Sequence, residues 1–470
     1  MSLSQSVFSK VLFTLCVFLL FLSLCNCLRA EPASGMWQVG VASRIITPLD
    51  SMWLAGYAAR DHAVEGTLQE LWAKALAIVD HEGRRNVLVT TDLLGLPRNI
   101  SVQIVDRCRQ QFNLQRSQIL LNSSHTHSGP VLRASLYDIY SLTDQHIEYV
   151  ERYSATLVDD IVCVIGEALD KTVPAQLYSG NGVVRFQVNR RNNDAATLAA
   201  QSGLNGPNDY AVPVLQARRE NGELMAVAFG YACHPTVLNG YEWCGDYPGY
   251  AQCVLEEQMP GVTALFFQGC GGDQNPLPRR SVALAQQYGR ELAAAVQRVI
   301  AEKSPPLNGS ITTGYTEIQL SLSAPPTMEQ LETIAKGDNG YKMYWAKRLL
   351  RDLQEGKNLI TSYPYPVQVW RIGPQVIIAL GGEVVVDYAI QLKRIFGQDT
   401  FVLGYCNDVM AYIPSARVLR EGGYEGATSQ IVYGLPSTWR ADIESRIIHT
   451  AIQLAGAAGA EIPESNILGE

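Results

Sequence analysis

An α/β fold is what this sequence predicts: one large domain with a mixed β-sheet core flanked by helices, and a site where strands end. Three observations carry that reading. Continuous apolar runs of strand length alternate along the chain with segments of helical periodicity. Beyond the amino-terminal segment, no linker-like tract, low-complexity stretch or fixed-period repeat divides the chain. With 470 residues, 47% hydrophobic and 17% charged, the composition is that of a globular protein able to bury a large core.

The elements follow in order. Residues 86–92 (NVLVTTD) read as a buried strand, followed by a helix over 102–110. Residues 118–121 (QILL) form the next strand, and a helix spans 146 to about 170. Two further apolar runs, 224–231 and 262–267, are strands; 281–302, rich in Ala, Leu and Gln with spaced apolar positions, is an amphipathic helix. Residues 303–364 read as proline-bearing loops flanking a helix around 328–355. Then comes a strand over 375–380 that meets Gly381-Gly382-Glu383, with a helix over 384–395 behind it. A strand over 400–405 and a closing helix over 443–455 complete the pattern.

The amino terminus stands apart. Lys10 precedes an apolar run over 11–24, which ends in the polar segment before Glu31. A charged start, an apolar centre and a polar exit predict a secretory signal peptide over 1–30, so the mature protein is expected to be secreted or periplasmic. An uncleaved anchor is the alternative, but the run is short for a spanning helix. Leu24 before Cys25 is too bulky for a lipoprotein cleavage site. The formal net charge is −8 without charge blocks, which argues against a nucleic-acid partner. Seven cysteines follow the leader, an odd number with no C-x-x-C, so neither a disulfide scaffold nor a cysteine zinc site is expected.

The most informative segment is Ser124-His125-Thr126-His127-Ser128-Gly129-Pro130, directly after the strand over 118–121. Histidines two apart on extended backbone point the same way, so both imidazoles would face one spot. Three more strands end on residues suited to a site: Cys233-His234-Pro235, then Gly271-Gly272-Asp273-Gln274-Asn275, then Glu383. In α/β folds such strand ends line the ligand crevice. Two or three imidazoles with a carboxylate and an open position make the ligand set of a catalytic zinc ion. Taken singly, each has a plainer reading. His234-Pro235 is a turn, Gly269–Gly272 reverses the chain, and Glu383 favours a helix amino terminus. On spacing alone, His125 and His127 are equally good ligand candidates.

These residues resemble the catalytic domain of the neutral (non-lysosomal) ceramidase family, from about Val39 to the end of the chain. The segment 124–130 is similar to that family's T-H-T-H-S-G-P signature. Collinear matches are Gly56-Tyr57-Ala58, Asn189-Arg190, His234, Gly245-Asp246-Tyr247-Pro248-Gly249-Tyr250-Ala251, Gly381-Gly382-Glu383-Val384, and Tyr412 through Tyr424-Glu425-Gly426-Ala427. The resemblance implies zinc ligands at His125, His234, Glu383 and Tyr412. It places His127 just outside that set, handling the substrate carbonyl or a proton, and gives Arg190 and Tyr424 the polar head of the substrate and the oxyanion.

Two departures bear on function. Asn275 stands where the family carries a serine with a catalytic role, and asparagine cannot be an acyl nucleophile, although its amide can hold a water or a carbonyl. The catalytic domain is expected over 31–470, with no immunoglobulin-like domain after the last helix. The implied activity is zinc-dependent hydrolysis of the N-acyl amide of ceramide or a similar lipid, which is compatible with peripheral membrane contact. The alternatives are a zinc amidase or esterase acting on another N-acyl or ester substrate, and a non-catalytic binding protein with a degenerate site. Oligomeric state is not legible.

Overall fold

The structure, a computed structural model, describes residues 36–338 and 340–462; the leader expected over 1–30 lies outside the described residues. In chain order the first half contributes β1 (Trp37–Ile45), β2 (Gly66–Thr67), β3 (Trp72–Val79), β4 (Arg85–Thr91), β5 (Ile119–Ser123), β6 (Val173–Val183), β7 (Gln187–Asn189), β8 (Ala211–Arg219) and β9 (Leu224–Tyr231). The second half contributes β10 (Glu242–Trp243), β11 (Thr263–Gln268), β12 (Gln274–Pro276), β13 (Ile311–Ser321), β14 (Ser362–Ile372), β15 (Gln375–Leu380), β16 (Glu383–Val384), β17 (Phe401–Leu403) and β18 (Tyr412–Ile413). An eight-stranded mixed sheet runs β11-β9-β8-β6-β1-β3-β4-β5, and a four-stranded mixed sheet runs β13-β14-β15-β17.

The two sheets pack face to face with helices outside both. Leu88 of β4, Leu120 of β5 and Phe267 of β11 meet Trp370, Ile377 and Phe401 of the smaller sheet in one core cluster. Their neighbours in sequence, Val87, Val89, Ile119 and Leu121, point the other way and pack against helices Arg98–Phe112 and Asp144–Asp170. Phe229 and Phe266 likewise meet helices Asp246–Gln258 and Val282–Ala301. Ile378 and Leu380 meet Asp387–Phe396 and Ile443–Ala457. Burial on both faces is why β4, β5, β9 and β11 read as unbroken apolar runs. Among the described residues no helix is long and apolar enough to cross a membrane.

Asn122 brings the ends of this arrangement together. β5 and β11 are the two edge strands of the large sheet, yet the Asn122 side chain joins them. Its Oδ1 accepts from the Gln268 N–H (2.8 Å), and its Nδ2 donates to Gly404 O (2.8 Å), just past β17. The smaller sheet is thereby tied to both edges of the larger one, beside the strand ends that carry the histidines. Asn122 is fully buried with both ends of its amide engaged, so the N-x-S sequence Asn122-Ser123-Ser124 cannot accept an N-linked glycan in the folded protein.

Several expectations need correction. Residues 303–364 are not mainly loop, because β13 and β14 pair antiparallel over their whole lengths, from Ile311↔Ile372 to Ser321↔Ser362. The prolines 364 and 366 are tolerated because β14 joins β15 only from Val367 onward, leaving the earlier stretch with one neighbour. The helix expected around 328–355 is two helices, Met328–Ala335 and Gly340–Gln354, separated by a glycine-bearing break. The helix expected over 384–395 begins at Asp387, since Glu383 and Val384 pair in parallel with Tyr412 and Ile413. The strand expected over 400–405 stops at Leu403, and Tyr405 and Asn407 take positive φ.

Asp408, in the turn beneath Glu383, gives the fold a pH dependence. Its backbone carbonyl accepts from the Gly382 N–H, one carboxylate oxygen accepts from the Tyr363 hydroxyl (2.8 Å), and the other has no partner. Burial pushes this carboxyl up to about 7 from its ordinary 3.8, against the opposing pull of Tyr363 and Arg98. The folded protein therefore holds the proton longer than the unfolded chain does. The associated stability is full below about pH 4 and is lost as pH rises through about 7, by about a few kcal/mol. Asp408→Asn is expected to flatten this loss, measured as denaturant midpoints at pH 5 and pH 8; an unchanged pH slope would contradict it.

Candidate metal centre

His125 lies two residues past the end of β5 with φ 67°, so the H-x-H segment is not extended as the sequence suggested. The turn still brings both rings to one place, with the two Nε2 atoms 3.2 Å apart. The His125 N–H donates to Leu93 O (2.9 Å) and Thr126 Oγ1 donates to Cys244 O (2.7 Å), fixing the turn against two neighbouring segments. His234 follows β9, and its N–H donates to Gln274 O (3.0 Å). Glu383 follows a turn at Gly382, where φ is 72° and an added Cβ would lie 2.6 Å from Ile413 Cγ1, so glycine is required. The β16–β18 ladder makes Glu383 and Tyr412 direct register partners.

Four donor atoms from these four segments converge. Glu383 Oε2 lies 3.0 Å from His125 Nε2 and 3.0 Å from His234 Nε2, and Tyr412 Oη lies 3.2 Å from His234 Nε2. All four side chains are buried. His125 Nδ1–H donates to Leu94 O (2.6 Å) and His234 Nδ1–H to Gly271 O (2.6 Å). Since carbonyls only accept, each Nδ1 carries the proton, and in the neutral ring each Nε2 presents a lone pair. Two lone pairs aimed at one carboxylate oxygen repel unless something positive lies between them. Backbone-anchored imidazoles, a carboxylate and a phenol oxygen at these spacings are the donor set of a divalent cation of the zinc type. The residues fit such an ion.

Electrostatics follow the same geometry. Burial would push the Glu383 carboxyl up; positive charge at the point its oxygen shares with His125 and His234 holds it well below its usual range. Burial and the neighbouring Arg190 push His234 down to about 4. His127 is also held far below its ordinary value, by burial and then by His125 and His234. Its Nδ1 is buried without a partner, under Gly56, where an added Cβ would come within 2.3 Å of that nitrogen. The ligand nitrogens of His125, His127 and His234 also lie within 4.8 Å of one another, so His127 stands at the edge of the donor set.

The remaining candidates form the wall beside this centre. Arg190 Nη2 donates to Tyr412 Oη (3.1 Å), Nε to Glu425 Oε1 (2.7 Å), and Nη1 lies 3.5 Å from both His234 Nε2 and Asn275 Oδ1. Burial opposes its charge, but Tyr412 and Glu425 hold the guanidinium well above its ordinary value. Tyr424 stands at the rim, 43% exposed, its ring 5.2 Å from that of Tyr412. Arg190, Asn275, Tyr424 and Glu425 line a cavity of about 520 Å³.

Three neighbours were not read from the sequence. Tyr433 donates to Glu383 Oε1 (2.6 Å), Tyr405 lies 3.4 Å from Glu383 Oε2, and Glu425 anchors both Arg190 and Arg191. Glu425 stood within a matched motif, but no spacing signal pointed to either tyrosine. Cys233 and Cys270 are packed in apolar clusters, and no described cysteine is in a disulfide.

The signature of the family described as neutral/alkaline non-lysosomal ceramidase, N-terminal, matches residues 37–323. That span holds His125, His127, Arg190, His234 and Asn275, while Glu383, Tyr412 and Tyr424 lie beyond it. Neutral ceramidase B of Dictyostelium discoideum is 27% identical over 262 residues, covering 52% of this chain and 36% of that protein. Neutral ceramidase of Drosophila melanogaster is 26% identical over 262 residues with the same shares. The chain thus spans about a third of the length of these curated relatives. The crystal structure of neutral ceramidase from Pseudomonas aeruginosa superposes with a TM-score of 0.71 at 20% identity, over 90% of this chain and 75% of that one. A ceramidase complexed with C2 gives 0.72 at 19%, over 92% and 76%. At these identities the likeness is one of fold.

Proposed function

The chain belongs to the neutral/alkaline non-lysosomal ceramidase family, and on that footing we propose that it is a zinc-dependent hydrolase cleaving the N-acyl amide of ceramide or a ceramide-like lipid. The observation that carries the reading is the meeting of His125, His234, Glu383 and Tyr412 at spacings of 3.0–3.2 Å, with imidazole lone pairs turned on a carboxylate. These four would hold the ion. Bound zinc supplies a Lewis acid for the substrate carbonyl and brings the pKa of a coordinated water toward about 7.

This chain's own residues would do the rest. His127, neutral and with its Nε2 turned to the centre 3.2 Å from His125 Nε2, would take a proton from the attacking water and return it to the leaving amine. Arg190, a cation locked by Glu425, presents its guanidinium where the carbonyl oxygen gains negative charge. Tyr424 at the rim and Asn275 beside Arg190 would orient the polar part of the substrate. The leader expected over 1–30 directs the enzyme to the cell exterior or periplasm, where lipid surfaces are accessible.

The test is zinc content per chain together with ceramide hydrolysis before and after chelation. The expected result is about one zinc per chain, loss of turnover on chelation and recovery with added zinc. Protein without zinc, or turnover indifferent to the chelator, would overturn the proposal. Asn275 favours a second reading in which the same centre cleaves a different amide or an ester. Faster hydrolysis of short N-acyl or ester substrates than of ceramide would select it. Any zinc-dependent turnover disposes of a purely binding role.

A further inference from the structure

We propose that the cavity beside the metal centre receives the amine half of an N-acyl amide that carries an anionic group, a carboxylate in an N-acyl amino acid, and that Arg279 is the anion's partner. The inference rests on the second reading above, in which the same centre cleaves an amide other than that of ceramide.

Three guanidinium groups line this cavity, and two are compensated. Arg190 pairs with Glu425 (2.7 Å), and Arg191 pairs with Glu425 (2.6 Å) and Glu421 (3.0 Å). Arg279 is not compensated. Its Nη1 donates to Thr236 Oγ1 (3.4 Å), two residues past His234, and it makes no ion pair among the described residues. The adjacent Arg280 donates to the Tyr57 hydroxyl (2.9 Å) and also makes no ion pair among them. The nearby Asp246 carboxylate is taken by the N–H groups of Leu238 and Tyr247, and Asp194 accepts from Ala196 N–H. Arg279 is half-buried, and burial, Arg280 and Arg190 all pull its pKa down.

A partly desolvated guanidinium facing like charges is unfavourable alone and becomes favourable when an anion joins it. The cavity wall carries one large aliphatic side chain, Leu277, beside the Tyr424 ring, and charged and amide side chains make up most of the rest, so it is better suited to a polar group than to a hydrocarbon chain. The polar amine half belongs here, with the acyl chain directed elsewhere. The reaction balances without a co-reactant other than water: one N-acyl amino acid anion and one water give one fatty carboxylate and one zwitterionic amino acid. The amide C–N bond breaks and a C–O bond forms from the water oxygen. Both water protons end on the leaving nitrogen, which departs as an ammonium group.

The experiment compares N-lauroylglycine, N-lauroylethanolamine and lauroyl ceramide on the zinc-loaded protein, so that the acyl chain is constant. N-lauroylglycine is expected to give the highest kcat/KM. Arg279→Gln should cut its preference over the ethanolamide roughly 10- to 100-fold, the scale of one charge-assisted hydrogen-bond pair. Arg279→Lys, which keeps the charge, should retain part of it. No preference for the glycine amide, or a preference unmoved by Arg279→Gln, overturns the inference while leaving amide hydrolysis standing. If no amide is hydrolysed, the hydrolase reading falls and calorimetric binding decides. N-lauroylglycine binding weakened by Arg279→Gln keeps the anion site, and equal binding removes it.

Discussion

Replacing Glu383 by glutamine is expected to empty the metal centre and stop turnover together. Its carboxylate is the one formal negative charge among the four converging side chains, and one of its oxygens faces both His125 and His234 at 3.0 Å. Glutamine keeps the shape but removes the charge, and its amide nitrogen can take the place of the oxygen. In a buried site this loss is not screened by water. Zinc per chain should fall toward zero, and kcat/KM should drop by about a thousandfold or more, as loss of the site's electrostatic stabilisation implies. Tyr433→Phe supplies the graded companion. It removes only the 2.6 Å hydrogen bond to the other carboxylate oxygen, and outer partners of this kind are worth roughly 10- to 100-fold in metal affinity. A Glu383→Gln protein with full zinc and undiminished turnover would contradict the assignment of Glu383 to the ion.

The order of effects also shows which parts of the site a sequence can announce. His125, His234 and Glu383 each follow an apolar run buried on both faces, and such runs are visible without knowledge of the fold. β13 was not visible because its residues are largely half-buried and interspersed with threonine and glycine, and β14, though mostly buried, was masked by its two prolines. The extended-backbone rationale for the paired histidines was wrong in cause, since a left-handed residue at His125, not strand alternation, turns the rings together. Tyr412 and Arg190 entered through family resemblance alone. Their places depend on the pairing of β16 with β18 and on the ion pair to Glu425, contacts between segments far apart in the chain. Tyr405 and Tyr433 carried no signal of any kind, because a tyrosine that supports a carboxylate has no spacing rule relative to it.

Asn122→Ala should be the most destabilising single change outside the metal centre, and it should weaken the centre as well. The Asn122 amide satisfies the Gln268 N–H and the Gly404 carbonyl at 2.8 Å each, and reaches the Gln268 carbonyl at 3.3 Å. Alanine leaves two or three buried backbone groups short of a partner, at about 1–3 kcal/mol each, and adds a small polar void. The expected loss is about 3–5 kcal/mol, read as a lower urea midpoint with an unchanged slope. Asn122→Asp keeps the acceptor, but it loses the donor and buries a charge, so it should not rescue. The same amide sets where β5 ends relative to Gly404, and hence where His125 stands relative to Tyr405 and Glu383. Zinc affinity should therefore fall under conditions where the variant is still fully folded. A variant with the wild-type midpoint would show that the edges of the large sheet are held by something other than this side chain. A destabilised variant with undiminished zinc affinity would separate the joining of the sheets from the assembly of the site.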